Sequence, residues 1–72
     1  MKTKYTHIIF EQWPNVPNTW KCLNKRTRSG LGIVEFYEQW NCFVFEPYSS
    51  NIFSDDCLAD IIDFIKQLEK KQ

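Results

Sequence analysis

One stretch, residues 30–47, constrains the fold of this chain more than any other. It reads GLGIVEFYEQWNCFVFEP, two runs rich in β-branched and aromatic residues on either side of a short polar break at residues 38–39. Such residues pack best on a pleated, half-buried surface, and two runs a few residues apart are typical of an antiparallel hairpin. We therefore predict strands over residues 31–37 and 40–46, for which the rest of the chain must supply packing and pairing partners.

Two segments upstream of the hairpin can extend the sheet. Residues 19–25, TWKCLNK, alternate weakly with a period of two, and residues 25–30, KRTRSG, form a polar turn with a glycine suited to positive φ. Residues 4–13, KYTHIIFEQW, are also rich in β-forming residues, but the two prolines in residues 14–18 then break regular structure. The sequence predicts a three-stranded meander over residues 19–46, with residues 1–18 as an additional N-terminal strand or an arm.

The C-terminal segment has the pattern of an amphipathic helix. Ser54 is a typical N-cap residue, and Asp55 and Asp56 follow it, where the helix dipole favours acids. Apolar residues then recur at three- and four-residue spacing. They are Cys57, Leu58, Ile61, Ile62, Ile65 and Leu68. We predict a helix from about residue 55 to residue 70 with this stripe buried on the sheet, and with Phe53 stapled against the first turn near Leu58.

Length and composition place the chain among small α+β domains. Its 72 residues form one domain, with residues 19–70 as the β-β-β-α core. A chain this short buries a modest fraction of its surface, but 17% of its residues are aromatic, which offsets that limit. No run approaches the roughly 20 apolar residues of a membrane span, and the apolar run near Met1 is too short for a signal peptide. We expect a cytoplasmic protein with no membrane association.

Residues that could carry chemistry are few and scattered. Cys22, Cys42 and Cys57 are an odd number without a close pair, and with His7 they reach a tetrahedral count without the spacing of a zinc site. Because free cysteine is among the most buried residue types, we expect all three thiols reduced, at least two of them buried, and no metal or other cofactor. Nothing near His7 would orient it as a base, and no glycine-rich phosphate loop exists. We predict no catalytic site.

The net charge is zero, but the charges are unevenly placed. Residues 1–30 carry six basic residues and one acidic residue, whereas residues 31–72 carry three basic and eight acidic residues. The basic surplus is concentrated in one predicted turn, Lys25, Arg26 and Arg28, which we call the basic turn. The candidate interaction surface joins this turn to a neighbouring lysine and to aromatic residues. It comprises Trp20, Lys21, Lys25, Arg26, Arg28, Tyr37 and Trp40.

Several short motifs follow one another over residues 20–68. They are WKCLNKR, SGLGIVEFY, Trp40, FVFEP and FSDDCLADI, followed by FI. In order and spacing they resemble a family of small uncharacterised proteins of bacteriophages, prophages and integrative elements, with the pattern W-x-V-x-N-K-R-S-G, L-G-x-I-x-W-Y, W-R-Q-Y-x-F-x-P and F-S-x-x-C-L-x-D-I-x-x-F-I. The chain departs from this pattern where residues 27–28 are inserted, where Phe36 replaces tryptophan, and where residues 41–42 replace arginine and glutamine. The resemblance implies a mobile-element accessory protein and carries over no catalytic residue.

Two interpretations of function remain open from the sequence. The first is a non-enzymatic protein-interaction module that binds a host or phage protein. The second is nucleic-acid binding, because basic groups contact phosphates and aromatic rings stack on unpaired bases. An exposed aromatic patch away from the basic turn favours a protein partner, whereas aromatic residues interleaved with the basic turn favour nucleic acid.

Overall fold

The computed structural model describes residues 1–70 and shows a four-stranded antiparallel sheet with one helix packed on one face. The strands are β1 (Ile8–Gln12), β2 (Thr19–Asn24), β3 (Gly30–Tyr37) and β4 (Cys42–Pro47), and the helix is α1 (Asp55–Glu69). Each strand pairs with the next one in the chain, so the strand order is β1-β2-β3-β4. The architecture is the predicted α+β meander, and the N-terminal segment supplies its additional strand.

The N-terminal segment is both a strand and an arm. Before β1 begins, the carbonyl of Thr3 accepts a hydrogen bond from the Phe10 N–H, and the Tyr5 N–H donates to the carbonyl of Ile8, each at 2.9 Å. The Tyr5 ring packs edge-on against Phe10, and its hydroxyl donates to Asp63 Oδ2 at 2.8 Å. The arm therefore pairs with the outer edge of β1 and ties that edge to α1.

The sheet-facing side of α1 is centred on Phe64, which the predicted stripe does not include. Its ring is fully buried and stacks on Phe10 with 4.0 Å between ring centroids. The prediction that Leu58 and Ile62 are buried is wrong, because they are 46% and 53% exposed. A helix turns by about 100° per residue, so one flat contact cannot bury a stripe as wide as the predicted one. The buried residues of α1 are Ile61, Phe64 and Leu68.

The ends of α1 lie close to their predicted positions. Ser54 is the N-cap, and its hydroxyl accepts a hydrogen bond from the Cys57 N–H at 3.2 Å. The helix ends at Glu69, one residue before the predicted end. Phe53, the residue before the N-cap, packs edge-on against Phe45 of β4 with 5.3 Å between ring centroids. This contact fixes the loop that leads from β4 into the helix.

The turn between β2 and β3 uses a different device from the predicted glycine. Gly30 begins β3 with ordinary negative φ, and Arg28 takes the left-handed conformation with φ of 65°. The side chain of Asn24 accepts the N–H groups of Arg26 and Thr27 at 2.9 and 3.0 Å. Asparagine often stabilises turns in this way, because its side-chain oxygen can take the place of a backbone acceptor.

Strand register assigns the side chains to two faces. On the helix side, Phe10 pairs with Cys22, and Val34 pairs with Phe45. Phe10, Cys22 and Val34 are buried there against α1. On the other side, which we call the helix-free face, apolar and charged residues alternate across the strands. Its central residues are Ile9, Glu11, Lys21, Leu23, Ile33, Glu35 and Val44.

Candidate interaction surface

The residues of the candidate surface do not form one patch, because its outermost members lie at opposite ends of the sheet. β2 runs into the basic turn, and β3 returns from that turn to end at Tyr37. A strand of eight residues, at about 3.3 Å per residue, separates its two ends by roughly 25 Å. Tyr37 and Trp40 therefore lie at one end of the sheet, which we call the aromatic end, and the basic turn lies at the other.

The aromatic end is built by the tight turn between β3 and β4. Trp40 N–H donates to the Tyr37 carbonyl at 3.2 Å, and the Asn41 N–H donates to the Glu38 carbonyl at 3.1 Å. The two rings pack edge-on with 5.1 Å between their centroids, and the Tyr37 hydroxyl bonds to Gln39 Oε1. Trp40 is nevertheless 72% exposed. A large aromatic side chain thus packs on a neighbouring ring while most of it faces solvent.

A shallow cavity of about 290 Å³ adjoins this aromatic pair. It is lined by Tyr37, Trp40, Val44, Phe45 and Glu46. Pockets for small molecules usually measure roughly 300–1,000 Å³ and enclose their ligand, so this cavity is at the lower limit. The hollow is open and mostly apolar, with the carboxylate of Glu46 among its lining groups.

The basic turn gains a neighbour that sequence reasoning missed. The His7 carbonyl accepts a hydrogen bond from the Lys25 N–H at 2.9 Å. Lys25 and Arg26 are exposed and, together with Thr6, His7 and Asn24, line an open hollow of about 500 Å³. Only the pairing of Ile8 with Asn24 brings His7 to this turn, and no local sequence signal indicates that pairing.

Arg28 is less available than its neighbours in the basic turn. Its guanidinium forms an ion pair with the carboxylate of Glu11 on β1, and both side chains are partly exposed. An exposed pair of this kind contributes at most about 1 kcal/mol to stability. It nevertheless neutralises one of the three charges on which nucleic-acid binding would depend.

Lys21 and Trp20 lie on opposite faces of β2. Lys21 is on the helix-free face with its ammonium 5.4 Å from the centroid of the Trp13 ring, and its cross-strand partner is Glu11. Trp20 is on the helix side, where its ring packs edge-on against Phe64 with centroids 5.1 Å apart. The structure thus brings Lys21 near an aromatic ring, but that ring is Trp13, and it does not place Trp20 with Tyr37 and Trp40.

Further exposed apolar residues lie outside the predicted surface. The loop between β1 and β2 carries Trp13 and Val16, which are 37% and 41% exposed, at the same end of the sheet as Tyr37. Ile52, before α1, is 93% exposed, and Leu58 and Ile62 add to it along the helix. The sequence shows these residues as hydrophobic, but hydrophobicity alone does not distinguish an exposed position from a buried one.

The three cysteines differ in burial. All three thiols are free, but only Cys22 is buried, so the prediction of at least two buried cysteines is wrong. Cys42 begins an edge strand and Cys57 lies in the first helical turn, where coverage is partial. Burial, together with the nearby Cys57, raises the pKa of the Cys22 thiol to about 12, so it stays protonated near neutral pH. Within residues 1–70, no three His, Cys, Asp or Glu side chains are arranged to hold a metal ion.

Comparison with protein-family models, with curated proteins and with solved structures gives no match for this chain. In the part of the chain that the structure describes, no helix has the length and apolar character needed to cross a membrane. Inferences about function therefore depend on the geometry of the aromatic end and of the basic turn.

Proposed function

We propose that this chain is a non-enzymatic accessory protein of a phage or mobile element that binds a host or phage protein in the cytoplasm through its aromatic end. The carrying observation is Trp40, which is 72% exposed yet held against Tyr37 beside an apolar hollow. Tryptophan and tyrosine are enriched among the residues that dominate binding energy at protein interfaces, because each buries a large area at a low entropic cost. An exposed pair of them, packed on each other, suits that role.

The separation of the two ends supports a protein partner over nucleic acid. Tyr37 and Trp40 lie roughly 25 Å from the basic turn, so the rings do not interleave with Lys25 and Arg26. Between the two ends, the helix-free face carries Glu11 and Glu35 beside Lys21. Acidic groups along this path would repel a phosphate backbone, whereas a protein surface can accommodate mixed charge.

A capture experiment tests this proposal with matched variants. The immobilised protein is incubated with lysate of the infected host, with and without nuclease, and bound proteins are identified by mass spectrometry. We expect one protein to be retained after nuclease treatment and lost with Trp40→Ala. Ile52→Ala is the matched control, because Ile52 is also highly exposed but follows the end of β4 that is remote from Tyr37 and Trp40. A partner that is retained equally well by the Trp40→Ala and Tyr37→Ala variants would contradict the proposal.

Nucleic-acid binding by the basic turn is the second candidate, supported by the hollow that His7, Lys25 and Arg26 share. If it holds, electrophoretic shifts with duplex and single-stranded oligonucleotides persist near physiological salt. Replacing Lys25 and Arg26 with alanine then weakens binding similarly across sequences. It also reduces the salt slope by up to about 0.9 per lost duplex contact. A shift that vanishes near physiological salt, or that survives these replacements, argues against this candidate.

A further inference from the structure

The outer edge of β4 is open. Tyr48, directly after this strand, donates its N–H to the Leu31 carbonyl of β3 at 2.9 Å. The N–H and C=O groups of successive residues point to opposite sides of a strand, so those of Phe43 and Phe45 point away from β3. The carbonyl of Pro47 also points away from β3, but proline has no N–H to donate. Across residues 1–70, no backbone hydrogen bond uses the outward N–H of Phe43 or Phe45. The edge therefore offers two donors and then ends at a proline.

One flank of α1 adds exposed apolar surface on the same side of the molecule. Asp63 and Gln67 face the N-terminal arm beside β1, where they bond to Tyr5 at 2.8 and 2.9 Å. The opposite flank, which carries Leu58 and Ile62, consequently faces the β4 side, and both residues are about half exposed. Backbone contacts between α1 and the sheet are concentrated at β4. An unpaired strand edge and an uncovered helix flank thus lie side by side.

We propose that a second copy of this chain docks on this surface, with β4 pairing antiparallel to β4 of the other copy about a two-fold axis at Val44. In this register Phe43 of each copy lies opposite Phe45 of the other, and each such pair exchanges both of its N–H···O bonds. Both free donors of each edge are then used. Pro47, which cannot donate, falls just beyond the paired residues, so no donor is left over.

Self-complementarity selects a second copy over an unrelated strand. At the axis, Val44 meets Val44 of the other copy, and the cross-strand pairs Phe43–Phe45 join aromatic to aromatic. On the helix flank, Asp55, Leu58, Ile62 and Lys66 follow one another in the order acid, apolar, apolar, base. A two-fold axis reverses the second helix, so Asp55 faces Lys66 of the other copy, while the apolar residues meet in the middle. This surface adjoins the aromatic end, because Val44 and Phe45 also line the hollow beside Trp40. The two proposals are therefore tested with different substitutions, Trp40→Ala for the aromatic end and the helix-flank charge exchange for the dimer.

Analytical ultracentrifugation over a concentration series is the first test. We expect the mass to rise from 8.7 kDa toward twice that value, and Val44→Lys, which places two like charges at the axis, to abolish the rise. Amide hydrogen exchange localises the contact, since the Phe43 and Phe45 N–H groups are expected to gain protection only at concentrations where the dimer forms. A monomeric mass up to about 1 mM would overturn the proposal.

Charge exchange on the helix flank tests the choice of occupant. Asp55→Lys alone sets lysine against lysine across the axis, and Lys66→Asp alone sets aspartate against aspartate. We expect each variant to dimerise about tenfold more weakly than the parent, because two exposed ion pairs become two repulsions. An equimolar mixture of the two variants restores both attractive pairs and is expected to form a heterodimer.

The mixture also separates this proposal from a folding effect. Both substitutions oppose the helix dipole, so circular dichroism must first show that each variant keeps the parent's helix content. If the folded variants do not associate on mixing, or if dimerisation occurs without protection of the Phe43 and Phe45 amides, the proposed pairing is wrong. A dimer insensitive to Val44→Lys would likewise place the contact elsewhere. If the chain is monomeric but an extended peptide from another protein protects the same amides, the occupant is that peptide.

Discussion

The two edge strands of this sheet differ in whether their free edges are covered. At β1, the N-terminal arm pairs with the edge, and Tyr5 joins the arm to α1 through Asp63. At β4, the edge is bare across residues 1–70, and the neighbouring helix flank exposes Leu58 and Ile62. Open edges invite pairing with other chains, and natural proteins usually cover or interrupt them. The β1 side is therefore tied to the helix by hydrogen bonds, whereas the β4 side leaves backbone and apolar groups uncovered.

The largest expected loss of stability comes from removing the aromatic ring at the centre of the contact between α1 and the covered side of the sheet. Phe64→Ala removes the ring that stacks on Phe10 and contacts Trp20, leaving a cavity where α1 meets the sheet. We expect a loss of about 3–5 kcal/mol in the free energy of unfolding, measured with urea. For so small a domain, that loss can unfold the chain outright. A cost below about 1 kcal/mol would contradict the assignment of Phe64 as the core residue of the helix.

The second-largest expected effect is a loss of stability at alkaline pH, caused by two groups on the covered side. The folded-state pKa of Cys22 is about 12, against 9.0 for an ordinary thiol, and burial with the hydrogen bond to Asp63 raises the pKa of the Tyr5 hydroxyl as well. Both groups stay protonated in the folded chain after they ionise in the unfolded one. Stability is therefore complete below about pH 9 and falls as pH rises toward 12, by up to roughly 4 kcal/mol for Cys22.

Urea unfolding at several pH values measures this dependence. Cys22→Ala lowers stability at neutral pH, because the buried sulfur is lost, but is expected to flatten the decline between about pH 9 and 12. Tyr5→Phe is expected to flatten the part above about pH 10. If the parent protein were equally stable at neutral pH and near pH 11, folding would not raise the pKa of either group, and this prediction would be wrong.

A smaller effect should follow from loosening the arm alone. Tyr5→Phe keeps the ring against Phe10 but removes the hydroxyl that donates to Asp63 and accepts from Gln67 Nε2. We expect a cost of about 1–2 kcal/mol at neutral pH, since one of the two bonds involves a charged group. Amide exchange at Phe10 should accelerate more than at Val34 in the sheet centre. Unchanged exchange at Phe10 would mean that the arm holds without this contact.

The smallest effect is expected on the uncovered side. Ile62→Ala shortens an exposed side chain, which removes a little apolar contact and is slightly destabilising. Alanine also has the highest helix propensity, which is slightly stabilising, so the two effects oppose each other. At a concentration where the monomer dominates, we expect the free energy of unfolding to change by no more than about 0.5 kcal/mol. Ile61→Ala, one residue away but buried, should cost about 2–5 kcal/mol and serves as the matched comparison. If the two substitutions lowered the free energy of unfolding equally, Ile62 would be as buried as Ile61, and the assignment of an exposed helix flank would be wrong.

Local patterns predicted the elements of the fold well. Ser54 and the acidic first turn located the start of α1 at the right residue, because capping depends on side chains within a few residues of each other. The hairpin of β3 and β4 followed from its aromatic and β-branched runs. For the candidate surface, the sequence grouped Tyr37 and Trp40 with the basic turn, which lies at the other end of the sheet. Neighbourhood in sequence does not reveal which end of a strand a residue occupies.

What the sequence determined by itself is the set of elements, their order and the cap of the helix, since these depend on spacing and on contacts between near neighbours. Only the tertiary structure decided which face of the sheet receives α1, and so why Trp20 packs inward on Phe64 while Lys21 turns to Trp13. It likewise decided that Phe64 is buried while Leu58 and Ile62 are exposed. These residues are all hydrophobic, and burial depends on which surface lies opposite, a property that distant strands create together.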